Sequence, residues 1–129
     1  MAFQPKFFKC AHCGQVISVL KDAGVPIVCC GQRMDRLIPN TTDAALEKHV
    51  PVAVRDENCT LTVKVGSVAH PMLEAHSIEW IYLHTASGGR RRILAPGEAP
   101  EAVFCVCQEE VLAVYAYCNL HGLWRSKLS

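Results

Sequence analysis

The chain reads as an all-β protein of two units, a small metal-stapled one followed by an antiparallel β-sandwich. Three observations predict this. Short runs with the two-residue alternation of half-buried strands fill residues 37–129, and no long helical period interrupts them. Residues 1–36 hold Cys10, Cys13, Cys29 and Cys30, in a stretch of the size that seldom buries a sufficient core, since chains below about 40 residues usually need metal, disulfides or oligomerisation. Five of the six histidines fall in the remainder, so the two units carry different chemistry.

In the first unit, strand-like runs are expected at Lys6 to Lys9 and Gln15 to Leu20, then a turn at Asp22-Ala23-Gly24 and a further run at Pro26 to Val28. After a connection ending near Pro39, Asn40-Thr41-Thr42-Asp43 offers capping side chains to a short helical turn at Ala44 to Lys48. Thr60 to Val65 alternates cleanly, placing Leu61, Val63 and Val65 on a core face. Further strands are expected at Val50 to Arg55, Ile78 to Thr85, Arg90 to Leu94, Ala102 to Cys107 and Val111 to Cys118, with Ser87-Gly88-Gly89 as a hairpin turn. Six or seven short antiparallel strands make a sandwich.

Composition narrows the function classes. The 129 residues carry 13 Lys+Arg and 12 Asp+Glu, a net charge of +1, with 50% hydrophobic residues. That balance disfavours nucleic acid as partner, because such proteins usually carry a basic excess. No window reaches the roughly 18 apolar residues of a membrane helix, and the start, Met1 to Lys6, lacks the apolar core of a signal peptide. A cytoplasmic protein is therefore expected. In a reducing cytosol, 8 Cys and 6 His point to metal before disulfides.

Cys10-Ala11-His12-Cys13-Gly14 is a Cys-x-x-Cys knuckle, in which two thiolates on a tight turn can reach one tetrahedral ion. Cys29 and Cys30 are adjacent and can share that ion only where the backbone between them bends. Four soft thiolates select iron or zinc, and the spacing leaves a plain zinc staple open. His12 is expected to face solvent. In the second unit the candidates are dispersed: Glu47-Lys48-His49, His70-Pro71-Met72 with His76, and Cys118 three residues before His121. The prolines beside His49 and His70 stiffen the backbone where a ligand must be held still. His84 is expected to be structural. Cys105 and Cys107 alternate on one strand face, as small buried apolar residues do. Neither they nor Cys59 is assigned to metal, and a disulfide among them is left open.

Taken together, Cys10-x-x-Cys13-Gly14, Cys29-Cys30-Gly31, Asn40-Thr41-Thr42-Asp43, Glu47-Lys48-His49-Val50-Pro51, His70-Pro71-Met72 to His76 and Cys118-Asn119-x-His121-Gly122-x-Trp124 resemble desulfoferrodoxin, the two-iron superoxide reductase family. The resemblance runs from about residue 7 to residue 124 and implies two units, 1–36 desulforedoxin-like and 37–129 neelaredoxin-like with an immunoglobulin-like sandwich. It implies two iron ions per chain, one on Cys10, Cys13, Cys29 and Cys30, the other on His49, His70, His76 and His121 in a plane with Cys118 on the axis. Glu47 in such proteins can close the ferric site, and Lys48 stands near the open position. The implied reaction converts superoxide to hydrogen peroxide, with a small redox protein such as rubredoxin as donor and a homodimer as the assembly. A zinc-stapled interaction module and a pure electron carrier are the rivals; a carrier needs no open coordination position.

Overall fold

A computed structural model describes residues 3–128. Contacts divide the chain after Ile38 into two units, and no helix among the described residues is long and apolar enough to cross a membrane.

In the first unit, β1 (Phe7–Lys9) is flanked by β2 (Val16–Ser18) and β5 (Asp35–Arg36), while β3 (Val28–Cys29) and β4 (Gln32–Arg33) form a separate hairpin. Among its described residues only Pro5, Phe7, Cys10 and Met34 are buried; Leu20, Val25 and Val28 face solvent. The expected turn at Asp22 is present, with the Gly24 N–H donating to the Asp22 carboxylate at 2.8 Å.

The second unit begins with a single helical turn, α1 (Leu46–His49), followed by β6 (Pro51–Arg55), β7 (Thr60–Val65), β8 (Ile78–Thr85), β9 (Gly88–Ile93), β10 (Glu101–Cys105), β11 (Val111–Cys118) and β12 (Gly122–Lys127). They form two antiparallel sheets, ordered β10-β7-β6 and β12-β11-β8-β9. Leu61, Val63 and Val65 point inward from β7 as the alternation requires, and meet Ala102 and Phe104 of β10 and Ile81, Leu83, Val114 and Ala116 of the other sheet in one core. Each fully buried aliphatic side chain contributes about 1.5–3 kcal/mol. Two sheets closed over such a core make a sandwich.

Three local expectations fail, each for a tertiary reason. The side chains of residues 40–43 do not cap α1, which starts from Ala45 with no side-chain cap. Asn40 is instead tied to β12, its amide bridging the Arg125 N–H and carbonyl at 2.8 and 3.1 Å. The β8–β9 turn is Ala86-Ser87, because Gly88 and Gly89 already pair with Thr85 and His84. Gly89 leaves room for the Tyr82 phenol, which a Cβ at that position would displace. Cys105 and Cys107 are exposed, not buried. The inward positions of that segment belong to Ala102, Phe104 and Val106, so the period was right and the face was wrong.

Candidate metal centres

The first cluster is made by two tight turns. Cys10 ends the run after β1, and the Gly14 N–H returns to the Cys10 carbonyl at 2.9 Å, so the knuckle folds back and brings Cys13 beside Cys10. The Cys13 N–H points at the Cys10 sulfur, 3.5 Å away. Opposite, Cys30 and Gly31 are the two loop residues of the β3–β4 hairpin and both take positive φ, 53° and 73°. That left-handed pair is the bend the adjacent cysteines need.

Sulfur positions fit a tetrahedral ion. Thiolates about 2.3 Å from a central metal stand roughly 3.8 Å from one another. The Cys13–Cys29 and Cys29–Cys30 sulfurs are 3.7 and 3.9 Å apart, and all four lie within 4.8 Å. The Cys13 N–H lowers the Cys10 thiol to about 6, while hydrogen bonding to the Cys13 and Cys10 sulfurs pushes Cys29 up to about 12 and raises Cys30. Four thiolates so close need a cation between them. His12 is exposed and stands apart from the set.

The second cluster gathers at one end of the sandwich. α1 delivers His49 just before Pro51, which pairs with Val65 at the end of β7; the His70 N–H donates to the Val65 carbonyl at 3.2 Å. His76 precedes β8, and Cys118 and His121 bracket the β11–β12 turn. Gly66 makes the junction possible. A Cβ there would lie 2.6 and 2.8 Å from backbone atoms of Glu47 and Lys48, forcing α1 and its ligand outward.

The four imidazoles form a square. Successive ring centroids, His49–His70, His70–His76, His76–His121 and His121–His49, are 4.7, 4.7, 5.1 and 4.8 Å apart, each pair edge to face, and the His49–His76 diagonal is 6.4 Å. A tetrahedral set would have no such longer diagonal. The His49 and His70 Nδ1 atoms each face a carbonyl at 2.7 Å, of Ala45 and Pro71, and so carry the protons. Their Nε2 lone pairs then confront each other at 3.2 Å with no hydrogen between them. His49 Nε2 also lies 3.0 Å from His121 Nδ1. Nitrogens about 2.1 Å from one metal at the corners of a square stand roughly 3.0 Å apart, and the two measured edges match. His76 Nε2 is buried without a partner. Cys118 Sγ, fully buried, is within 4.8 Å of the ligand atoms of His49, His70 and His76 and 3.9 Å from His121 Nδ1.

Two residues whose structural roles sequence reasoning missed hold this geometry. Trp124 stacks on the His49 ring at 5.0 Å and donates its indole N–H to the His121 carbonyl at 3.1 Å. The Asn119 side chain accepts from the Ser77 N–H and donates to the Ala75 carbonyl, both at 3.0 Å, fastening the Cys118 turn to the His76 loop. Both belong to the motif Cys118-Asn119-x-His121-Gly122-x-Trp124, which was the signal available. Glu47 and Lys48 are exposed on α1; burial holds His49 and His76 below their ordinary value, and the Lys48 charge adds a smaller push in the same direction. His84 is buried within β8, paired with Gly89 and Ala113.

Burial is the main cause that lowers His49, His70 and His76, His70 to about 4. All three are therefore neutral at neutral pH, as a metal ligand must be. The same shift makes the metal-free protein acid-sensitive. Unfolded imidazoles take up protons below their ordinary value of 6.5, which the folded ones refuse, so this stability is complete above that value and is lost as pH falls toward about 4. Thermal melts of the metal-free chain should show Tm declining across that window; a flat Tm would contradict the burial account. Cys118 is raised, chiefly by burial, so a cation must displace its proton.

The comparisons with known proteins agree with this arrangement. Residues 41–127 match the family model described as desulfoferrodoxin, and residues 4–37 match the model of the desulfoferrodoxin N-terminal domain. The chain is similar to the desulfoferrodoxins of Nitratidesulfovibrio vulgaris, 46% identical, and Syntrophotalea carbinolica, 48% identical, each alignment covering 98% of this chain and 99% of the relative. Its fold resembles the crystal structure of the superoxide reductase from Treponema pallidum, with a TM-score of 0.80, 36% identity, and coverage of 97% of this chain and 100% of the other.

Proposed function

The chain belongs to the desulfoferrodoxin family, and from that premise we propose that it is a superoxide reductase with two iron ions, adding one electron and two protons to superoxide to give hydrogen peroxide. The observation that carries the reading is the square of four imidazoles with a buried thiol beside it, a donor set that leaves a coordination position free. Cys10, Cys13, Cys29 and Cys30 would hold one iron. His49, His70, His76 and His121, together with Cys118, would hold the other. Residues 1–36 and 37–129 are the corresponding domains.

Iron held by the second set of residues would supply the electron. The protein does the rest. Carbonyls of Ala45 and Pro71 fix the His49 and His70 rings so that their Nε2 atoms face inward. Neutral imidazoles and a single thiolate leave a ferrous site with a net charge near +1 by formal count, which attracts a small anion. The basic Cys118 thiolate would donate electron density to the bound iron, the lever that haem thiolates use. Lys48 would draw the anion in and donate a hydrogen bond to it, while Glu47, next to it on α1, would offer its carboxylate to the oxidised centre.

The same proposal extends to a cytoplasmic homodimer reduced by a rubredoxin-like protein. Val52, Val54 and Val103, exposed on the β10-β7-β6 sheet, support an assembly surface. The Arg90 and Arg92 guanidinium groups are engaged with Glu109 and Glu98 at 2.8 and 3.6 Å, which leaves less charge for docking an acidic donor than the run Arg90-Arg91-Arg92 would offer unpaired.

Stopped-flow or pulse-radiolysis kinetics of the iron-loaded protein at two ionic strengths test the reading. Superoxide should be consumed with peroxide formed and no dioxygen released. Lys48→Ala should slow the second-order step by about tenfold, since steering into a charged cleft is worth roughly 10–10³ in on-rate, and should flatten its salt dependence. An unchanged rate and salt slope would reduce Lys48 to a surface charge.

A further inference from the structure

Cys105 and Cys107 belong to neither centre. Residues two apart in a continuing strand are separated by roughly 7 Å, yet these two sulfurs are 3.7 Å apart. A turn brings them together: β10 ends at Cys105, and the Val106 and Cys107 N–H groups both donate to the Cys59 carbonyl, at 2.7 and 3.2 Å. Cys107 there takes a φ of 36°. Both thiols are exposed. Arg90 braces the pair, donating to the Cys105 carbonyl at 2.7 Å and to Glu109 at 2.8 Å.

The register places this pair far from the histidines. Cys105 lies opposite Thr60 at the start of β7, whereas the histidine cluster adjoins Val65 at its other end. The strand between them spans roughly 17–20 Å. Anything passing from one to the other must diffuse.

We propose that Cys105 and Cys107 form a redox-active dithiol, oxidised to an intrachain disulfide by hydrogen peroxide, which gives the chain a second, peroxide-consuming activity. The site itself rests on geometry alone; only the supply of its oxidant rests on the superoxide reductase reading, whose product is that peroxide. The two sulfurs face each other at 3.7 Å, so one attacks and the other resolves, with Cys107 taken as the attacking sulfur. Its thiolate bonds to one peroxide oxygen as the O–O bond breaks, and the departing hydroxide takes up the Cys107 proton as water. Cys105 then attacks the resulting sulfenic sulfur; the S–S bond forms, the S–O bond breaks, and the second hydroxide leaves as water with the Cys105 proton. Two thiols and one peroxide give one disulfide and two waters. A dithiol reductant returns the pair by exchange.

Cleavage after glutamate releases Ala102–Glu109, which contains no other cysteine, and its mass reports the pair directly. Iron-loaded protein is exposed in one arm to superoxide with a reductant that does not reduce disulfides, and in the other to hydrogen peroxide added directly, then alkylated and digested. In both arms the segment should lose both alkylation sites and two hydrogens, with recovery by a dithiol and protection by catalase. Loss in the peroxide arm alone supports the dithiol and overturns the superoxide reading instead. Thiols retained in both arms, or oxidation of one cysteine to a sulfinic acid, overturn the proposal. Cys59→Ser should still form the disulfide, and its failure to do so would assign the bond to Cys59. Cys107→Ser should abolish the disulfide while consuming superoxide at the wild-type rate.

Discussion

Cys118→Ser is expected to abolish superoxide reduction while leaving the sandwich folded. Removing an outer-shell partner of a metal ligand already costs roughly 10–100-fold in affinity or activity, and Cys118 is a ligand candidate itself, so a loss of more than about 100-fold is expected. Its sulfur is fully buried at the end of β11, where the smaller hydroxyl fits without clash. The sulfur-to-iron absorption of the histidine centre should vanish while the first centre keeps its spectrum. Retention of that band in the variant would remove Cys118 from the ligand set.

The second large effect concerns the first unit. Cys13→Ser should release its iron and unfold residues 4–37 as a segment, because little else holds them. Phe7 and Met34 are its main buried side chains and contribute about 1.5–3 kcal/mol each. A structural thiolate site contributes on the order of 10–16 kcal/mol in small zinc-binding peptides. The metal term therefore decides whether this unit is folded. The second unit, with its own two-sheet core, should keep its iron and its activity with an artificial donor. Limited proteolysis with iron analysis separates the outcomes: cleavage confined to the first unit and one iron retained is the expected result, and joint loss of both irons would show that the units do not fold independently.

Gly66 and Trp124 show why the histidine centre depends on more than its ligands. One keeps α1 close to the end of β7 and the other clamps His49 and His121 together. Neither role has a local sequence pattern, because each arises where segments distant along the chain meet.

What the sequence alone determined follows from backbone geometry. The alternation of Thr60 to Val65 put Leu61, Val63 and Val65 inward because successive strand side chains point to opposite faces, and β8 and β11 run between the residues their patterns mark. The Cys-x-x-Cys knuckle and the Cys-Cys pair with Gly31 are short enough that spacing nearly dictates their turn geometry. Motif order also carried the family. Only the tertiary structure decided the remainder. The Asn40 side chain could cap a helix or bind a strand, and packing against β12 chose the strand. Cys105 and Cys107 share a face by period, but which face is inward depends on the opposing sheet, and the turn against Cys59 set the distance between their sulfurs. The square itself is the clearest case. His49 Nε2 and His121 Nδ1 meet at 3.0 Å across 72 residues of chain, and no periodicity reaches that far. Such convergence is fixed by how the two sheets stack and where α1 docks, since packing free energy depends on which faces meet in space rather than on their spacing along the chain.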